Sequence, residues 1–257
     1  MDQVDLNCDL GESFGHYVIG NDEQVLPLIS SANVACGFHA GDFSEMHRTV
    51  SRAKKNGVAI GAHPGLPDLE GFGRREMKVT PSEVYDMIVY QVGALQAVAK
   101  AQNVSVNHVK PHGALYHMAS DQEEYAKAVV QAVADVNPDL LLFGMDGTFL
   151  TAAGEKAGLH VIYEAYADRT YQPDGSLTPR SLPNALITNT DQALKQVMQM
   201  LQEGTVTTPV GEKTKVRAET ICVHGDGTEA LAFVATIRKE LQRCGIKIGA
   251  WHESFGR

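Results

Sequence analysis

Short apolar runs bounded by Gly, Asp or His recur along the whole chain: Val4 to Cys8, Ser31 to Cys36, Val58 to Ala62, Val106 to Lys110, Leu140 to Phe143, Val161 to Ala165 and Thr220 to Val223. They are too short for helices and rich in Val, Ile and Leu, so they predict about seven strands covered on both faces. Longer segments with helical periodicity lie between them. Thr80-Pro81-Ser82-Glu83 is a capping box with Pro at the first helical position, and Val84, Ile88, Val92 and Leu95 follow on one stripe. Ser120-Asp121-Gln122-Glu123 predicts another helix start, with Ala126, Val129, Val130 and Val133 as its buried face. Asp42 with Glu45, Asn189 with Gln192, and Asp226 with Glu229 repeat the cap logic.

Alternating strands and helices imply right-handed βαβ units and a parallel sheet, either open or closed. An open, doubly wound sheet gathers its site at one switch point, so only two or three strand ends need chemistry. A barrel brings every strand's C-terminal end to one mouth. Here nearly every strand exit carries reactive groups: Asn7, Asp9 and Glu12; His39 and Asp42; His63; Lys110 and His112; Asp146; Glu164, Asp168 and Arg169; His224 and Asp226. The expectation is therefore an α/β chain folded as a single seven-stranded (β/α) barrel over residues 1–257. No repeat, low-complexity tract or linker divides it. Two long loops, Pro64 to Lys78 and Thr170 to Ser181, both follow strands and are expected at the mouth, as covers of a site or as solvated connectors.

Composition narrows the partners. With 22 Lys+Arg against 31 Asp+Glu and a net charge of −9, the chain has no basic stripe, which argues against nucleic acid and anionic membranes. No window approaches about 18 consecutive apolar residues. Met1-Asp2-Gln3-Val4-Asp5 lacks the features of a signal peptide, so the expected location is cytoplasmic. Cys8, Cys36, Cys222 and Cys244 are widely spaced, with no Cys-x-x-Cys pair, and read as reduced, mostly buried thiols.

There is no Gly-x-Ser-x-Gly elbow, no His-Glu-x-x-His helix and no Gly-x-x-x-x-Gly-Lys-Ser/Thr phosphate loop. Gly225-Asp226-Gly227-Thr228-Glu229-Ala230 superficially fits a dinucleotide fingerprint, but too little chain follows for the βαβ unit that it requires. As a glycine-rich turn before a helix it still offers N–H donors to an anion. His39 and His63 sit among small residues at successive strand exits, where a closed sheet brings them near Asp9. Structural histidines are the plain alternative, but together Asp9, His39 and His63 are candidates for a divalent metal or for proton transfer. In the run Val109 to His117, Pro111 forbids an ordinary helix joining His108 to His112. Lys110 beside His112 suits stabilising charge on an oxygen while the imidazole moves a proton. His47, His117 and His160 read as structural or solvent-facing. Glu164, Asp168 and Arg169 leave one strand together: a carboxylate can orient a base and Arg can grip a substrate anion, or Asp168 and Arg169 simply pair. Arg74-Arg75 is a second anion clamp or a solvated pair. The catalytic candidates are Asp9, His39, His63, Lys110 and His112; the substrate-binding candidates are Asn7, Glu12, Glu164, Asp168, Arg169, His224 and Asp226.

Six stretches, in order along nearly the whole chain, resemble the LamB/YcsF family of bacterial 5-oxoprolinase A subunits. They are Val4 to Glu12, Ser31 to Asp42, Gly61 to Gly65 with Gly71 to Arg75, Val109 to His117, Glu164 to Pro173, and Val223 to Asp226. The resemblance implies a seven-stranded, distorted TIM-like barrel similar to glycoside hydrolases and polysaccharide deacetylases. It also implies work with subunits B and C, opening 5-oxoproline to L-glutamate while ATP, the co-substrate, becomes ADP and phosphate. Deacetylases of this fold usually hold their metal through an Asp and a His-x-x-x-His pair, for which this sequence has no clean equivalent. Three readings follow: a 5-oxoprolinase subunit with its site on this chain, a metal-dependent amidase or sugar deacetylase, and a non-catalytic lactam-binding partner.

Overall fold

The computed structural model describes residues 2–223 and 230–252. β1 (Gln3–Leu10), β2 (Ser31–Ala35), β3 (Ala59–His63), β4 (Val106–Val109), β5 (Leu141–Gly144) and β6 (Val161–Tyr166) pair in parallel in chain order. An antiparallel hairpin of β7 (Thr205–Thr207) and β8 (Lys213–Lys215) stands outside this wall. β9 (Thr220–Cys222) then pairs with both β6 and β1, closing a parallel barrel of seven strands among the described residues. β10 (Lys247–Ile248) adds a short pairing to the start of β1. The expected closed barrel is the observed one, and each expected run overlaps a wall strand, with ends that differ by no more than two residues.

α1 (Asp22–Val25) and a 3-10 turn at Leu26–Leu28 follow β1, and α2 (Phe43–Asn56) follows β2. Asp42 caps α2 by accepting from the Ser44 and Glu45 amides, both at 2.8 Å. α3 (Pro81–Ala101) opens on the expected capping box, and its Val84, Ile88, Val92 and Leu95 are all buried. After β4 come α4 (Gly113–Asp121) and α5 (Glu123–Val136). Sequence reasoning missed α4. Pro111 does end the extended segment, but a helix starts two residues later, so Ser120 to Gln122 lie at a helix junction rather than at a first start. The predicted face of α5, Ala126, Val129, Val130 and Val133, is buried. α6 (Phe149–Lys156) and α7 (Thr190–Glu203) complete the layer up to β7, with Asn189 capping α7 through the Gln192 amide. α8 (Ala230–Arg243) precedes β10, and the cap expected at Asp226 with Glu229 lies outside the described residues. No described helix is long and apolar enough to cross a membrane.

The strands depart from expectation on their inner face. On β1 the side chains alternate: Val4, Leu6, Cys8 and Leu10 pack under the helices, while Asp5, Asn7 and Asp9 meet polar groups across the barrel interior. Opposite them the interior is apolar. Leu141, Phe143 and Ile162 pack with Trp251, whose indole N–H donates to the Glu219 carbonyl just before β9. The wall thus carries an apolar outer face all round and a hydrogen-bonded column inside one half.

Candidate functional site

The column starts at Asp5 and rises towards the mouth. The Asp5 carboxylate accepts from the hydroxyls of Ser30 (2.5 Å), Ser31 (2.8 Å) and Thr220 (2.6 Å). Burial nevertheless raises its pKa to about 6. Thr220 accepts in turn from Asn7 Nδ2 at 2.8 Å, and Asn7 Oδ1 accepts from Asn33 Nδ2 at 2.7 Å. Asn33 Nδ2 also reaches Asp9 Oδ1 at 2.8 Å, while its Oδ1 meets His108 Nε2 at 2.7 Å. At the top of the column the Lys110 ammonium faces Asp9 Oδ1 (3.0 Å), Glu164 Oε1 (2.9 Å), Asn7 Oδ1 (3.3 Å) and Cys222 Sγ (3.1 Å). Burial alone would lower its pKa, but Asp9, Cys222 and Glu164 outweigh burial and hold it well above the usual lysine value. An ammonium has only three N–H groups for these four acceptors. Lys110 therefore fixes Asp9 and Glu164 and spends its protons on the wall, a different task from the free oxyanion donor expected of it.

Beside this column lie three imidazoles. His63, the last residue of β3, places Nδ1 2.7 Å from the Lys110 carbonyl and Nε2 3.3 Å from Asp9 Oδ2. His112, the N-cap of α4, places Nε2 2.8 Å from the Phe72 carbonyl. His112 Nδ1 and His63 Nε2 face each other at 2.9 Å. The His39 ring, on the loop after β2, stacks on that of His112 with centroids 3.6 Å apart and planes at 4°. Its Nε2 lies 3.3 Å from Glu12 Oε1, and its Nδ1 is buried without a hydrogen-bond partner. Burial, reinforced by the neighbouring imidazoles, pushes the pKa values of His39 and His112 well below the usual histidine range. Burial followed by the Lys110 charge takes His108 down to about 3. One ligand atom from each of Glu12, His39, His63 and His112 lies within 4.8 Å of the others, and all four residues are buried. This donor set suits a divalent metal. It shares His39 and His63 with the expected set but replaces Asp9, which Lys110 engages, by Glu12 and His112.

A cavity of about 1090 Å³ opens over these groups, lined by Asp9, Glu12, His63, Lys110 and His112 at its floor. Both long loops contribute to its wall, the first through Arg74 and Glu76 and the second through Gln172, Asp174 to Leu177 and Pro179 to Ser181. Arg75 instead pairs with Asp68 inside its own loop. Asn7 and Glu164, expected to bind substrate, lie beneath the cavity in the column, and Asp168 is not among the lining residues. Arg169 does line it, donating Nη2 to the Thr178 carbonyl at 2.7 Å while its buried Nε has no partner. His224 and Asp226, with the Gly225 turn, lie outside the described residues. Sequence reasoning passed over Asn33, Cys222 and Tyr166, and set aside His117, which lines the cavity. Only strand parity, with Asn33 facing Asp9 in register, carries a signal for the interior residues.

A closed parallel barrel with carboxylates and imidazoles gathered at its C-terminal mouth belongs to the broad class of (β/α) barrel proteins that place their sites there. Within that class the chain belongs to the LamB/YcsF family, whose model matches residues 4–255. It is 56% identical over 250 residues to the A subunit of 5-oxoprolinase from Shouchella clausii, covering 97% of this chain and 99% of that one. The Bacillus subtilis protein of the same name is 53% identical over 253 residues, 98% of each chain. The crystal structure of a lactam utilization protein from Thermus thermophilus superposes with a TM-score of 0.93 at 44% identity, covering 97% of this chain and 100% of that one. The catalytic domain of a peptidoglycan N-acetylglucosamine deacetylase from Eubacterium rectale shares the fold alone, with a TM-score of 0.52 at 12% identity over 97% of this chain and 88% of that one.

Proposed function

We propose that this chain is the A subunit of an ATP-dependent 5-oxoprolinase. Its barrel mouth opens the lactam of 5-oxoproline to L-glutamate, coupled to conversion of ATP to ADP and phosphate in a complex with subunits B and C. The observation that carries the reading is identity above half over essentially the full length of proteins bearing that name. Amide resonance protects an unstrained lactam carbonyl, and transfer of a phosphoryl group to its oxygen removes that protection. Water then adds to the carbon and yields a proton to a base, the ring nitrogen leaves as an amine once protonated, and the acyl phosphate so formed is cleaved by a second water to L-glutamate and inorganic phosphate.

The mouth offers groups for each proton. Asp9 lines the cavity, with one oxygen fixed by Lys110 at 3.0 Å, an arrangement that suits a general base and its orienting cation beside the imidazole cluster. The buried Arg169 suits the substrate carboxylate. If a divalent ion is bound, Glu12, His39, His63 and His112 hold it, and it polarises a carbonyl oxygen or acidifies water.

The test is glutamate formation from 5-oxoproline and ATP by this chain alone, then with its candidate partner subunits. Turnover is expected only in the mixture, falling about 10²–10⁴-fold in Asp9→Ala and in His63→Ala. Unchanged turnover in both variants overturns the assignment of the site to this chain. The same imidazole cluster favours a second reading, a metal-dependent amidase. Hydrolysis that needs neither ATP nor partners and stops on chelation selects it.

A further inference from the structure

We propose that Glu12, His39, His63 and His112 form a resident site for one first-row divalent cation of the imidazole-preferring kind, such as Zn²⁺. The site does not depend on the 5-oxoprolinase reading, and its hydrogen bonds fix the ring tautomers. A carbonyl oxygen only accepts hydrogen bonds, so His63 Nδ1, 2.7 Å from the Lys110 carbonyl, carries a hydrogen. Likewise His112 Nε2, 2.8 Å from the Phe72 carbonyl, carries one. In neutral rings the other two nitrogens, His63 Nε2 and His112 Nδ1, are then both bare lone pairs, and they point at each other across 2.9 Å. Two lone pairs do not hold that distance without a positive charge to share. Either one extra proton or a metal ion supplies it.

Three further observations favour the ion. A shared proton serves two acceptors, whereas here a carboxylate and a third imidazole converge on the same point, all four donor atoms lying within 4.8 Å. The backbone carbonyls on the far nitrogens of His63 and His112 are the usual outer partners of metal-bound histidines, fixing the tautomer and aiming the ring. The chain is also cleared of side chains where the rings sit. A Cβ on Gly65 would lie 2.5 Å from His39 Nδ1, and one on Gly73 would lie 2.6 Å from His39 Cβ and 2.8 Å from His112 Cδ2.

The donor set selects the ion. Imidazole nitrogens with one carboxylate suit zinc and its first-row neighbours, whereas magnesium and calcium prefer all-oxygen shells. Bonds of about 2.0–2.1 Å at a tetrahedral centre leave donor atoms roughly 3.3 Å apart. The separations here are 2.9 Å for His63 to His112, 3.3 Å for His39 to Glu12 and 3.9 Å for His112 to Glu12, with no pair beyond 4.8 Å, so an ion closes the site by drawing the wider pairs inward.

The full chain, purified without added metal and then stripped with a chelator, is titrated with Zn²⁺ by calorimetry and with Co²⁺ by visible absorption. One ion per chain is expected, with Co²⁺ bands more intense than those of the aqueous ion. Glu12→Gln and His112→Ala lower the affinity by at least about 10–100-fold, the range that outer-sphere changes alone produce. Gly65→Ala, which removes no donor but crowds His39, lowers it as well. Failure of the wild-type chain to bind a stoichiometric ion, with an aqueous Co²⁺ spectrum, overturns the proposal and leaves the shared proton. This decision does not require the variants to fold. A chain that binds one ion yet opens no lactam even with ATP and its partner subunits sinks the functional reading alone, and a chain that binds no ion yet turns over fully in that mixture sinks only this one.

Discussion

An ammonium buried among Asp9, Glu164, Asn7 and Cys222 cannot be replaced on its own without leaving charge behind. In Lys110→Met, two carboxylates share the top of the column with no cation between them. The expected loss is about 3–5 kcal/mol at neutral pH, measured by denaturant unfolding. The deficit should shrink when Glu164→Gln is combined with it, because the second change removes one of the stranded charges. An equal deficit in the presence and absence of Glu164→Gln contradicts the ion-pair account. The identity of Lys110 as a functional group is legible at a strand exit in the sequence, but its assignment is not. Which of its neighbours are wall and which are cavity depends on barrel closure, and closure brings Cys222 and Glu164, far apart in the chain, against the same nitrogen.

At the scale of elements, α3 reaches into the site through one residue. Gln91 is fully buried and clamps Gly65 from both sides, its Oε1 accepting from the Gly65 amide at 2.9 Å and its Nε2 donating to the Gly65 carbonyl at 3.0 Å. Gly65 abuts His39, so the helix acts on the imidazole through this glycine. Gln91→Leu fills similar volume but orphans two buried backbone groups, each worth about 1–3 kcal/mol. The expected outcome is a loss in that range per group by chemical denaturation, accompanied by weaker retention of Zn²⁺. Unaltered Zn²⁺ affinity in a folded Gln91→Leu chain contradicts the positioning role. The N-caps of α2, α3 and α7 and the stripe of α3 were readable because they obey local rules. α4 was not, since its start depends on Pro111 and Gly113 turning the chain at the mouth, and its last buried residue, Ser120, opens the cap segment assigned to the next helix.

At the scale of the whole molecule, Asp5 lies on the seam where β1 meets β9 and takes hydrogen bonds from Ser30, Ser31 and Thr220 on both sides of β1. Burial raises its folded pKa to about 6, above the unfolded value. The folded state therefore holds a proton that the unfolded chain has released. Its contribution to stability is complete below about pH 4 and is lost as pH rises through about 6, roughly 3 kcal/mol in all. Asp5→Asn lacks this titration, so its stability relative to wild type should climb between about pH 4 and pH 7 in urea unfolding series; a constant difference contradicts the assignment. The barrel class was legible because reactive residues recur at nearly every strand exit. The polar interior was not, because Val, Leu and Ile on the outer face dominate each run. That interior has a consequence for descent: Asp5, Thr220, Asn7, Asn33 and Lys110 each satisfy a neighbour's hydrogen bond, so single replacements strand a buried partner whereas matched pairs need not. Divergence inside this barrel should proceed by correlated exchanges between distant positions, and recombining halves from two related chains should fail more often across the column than across the helical shell.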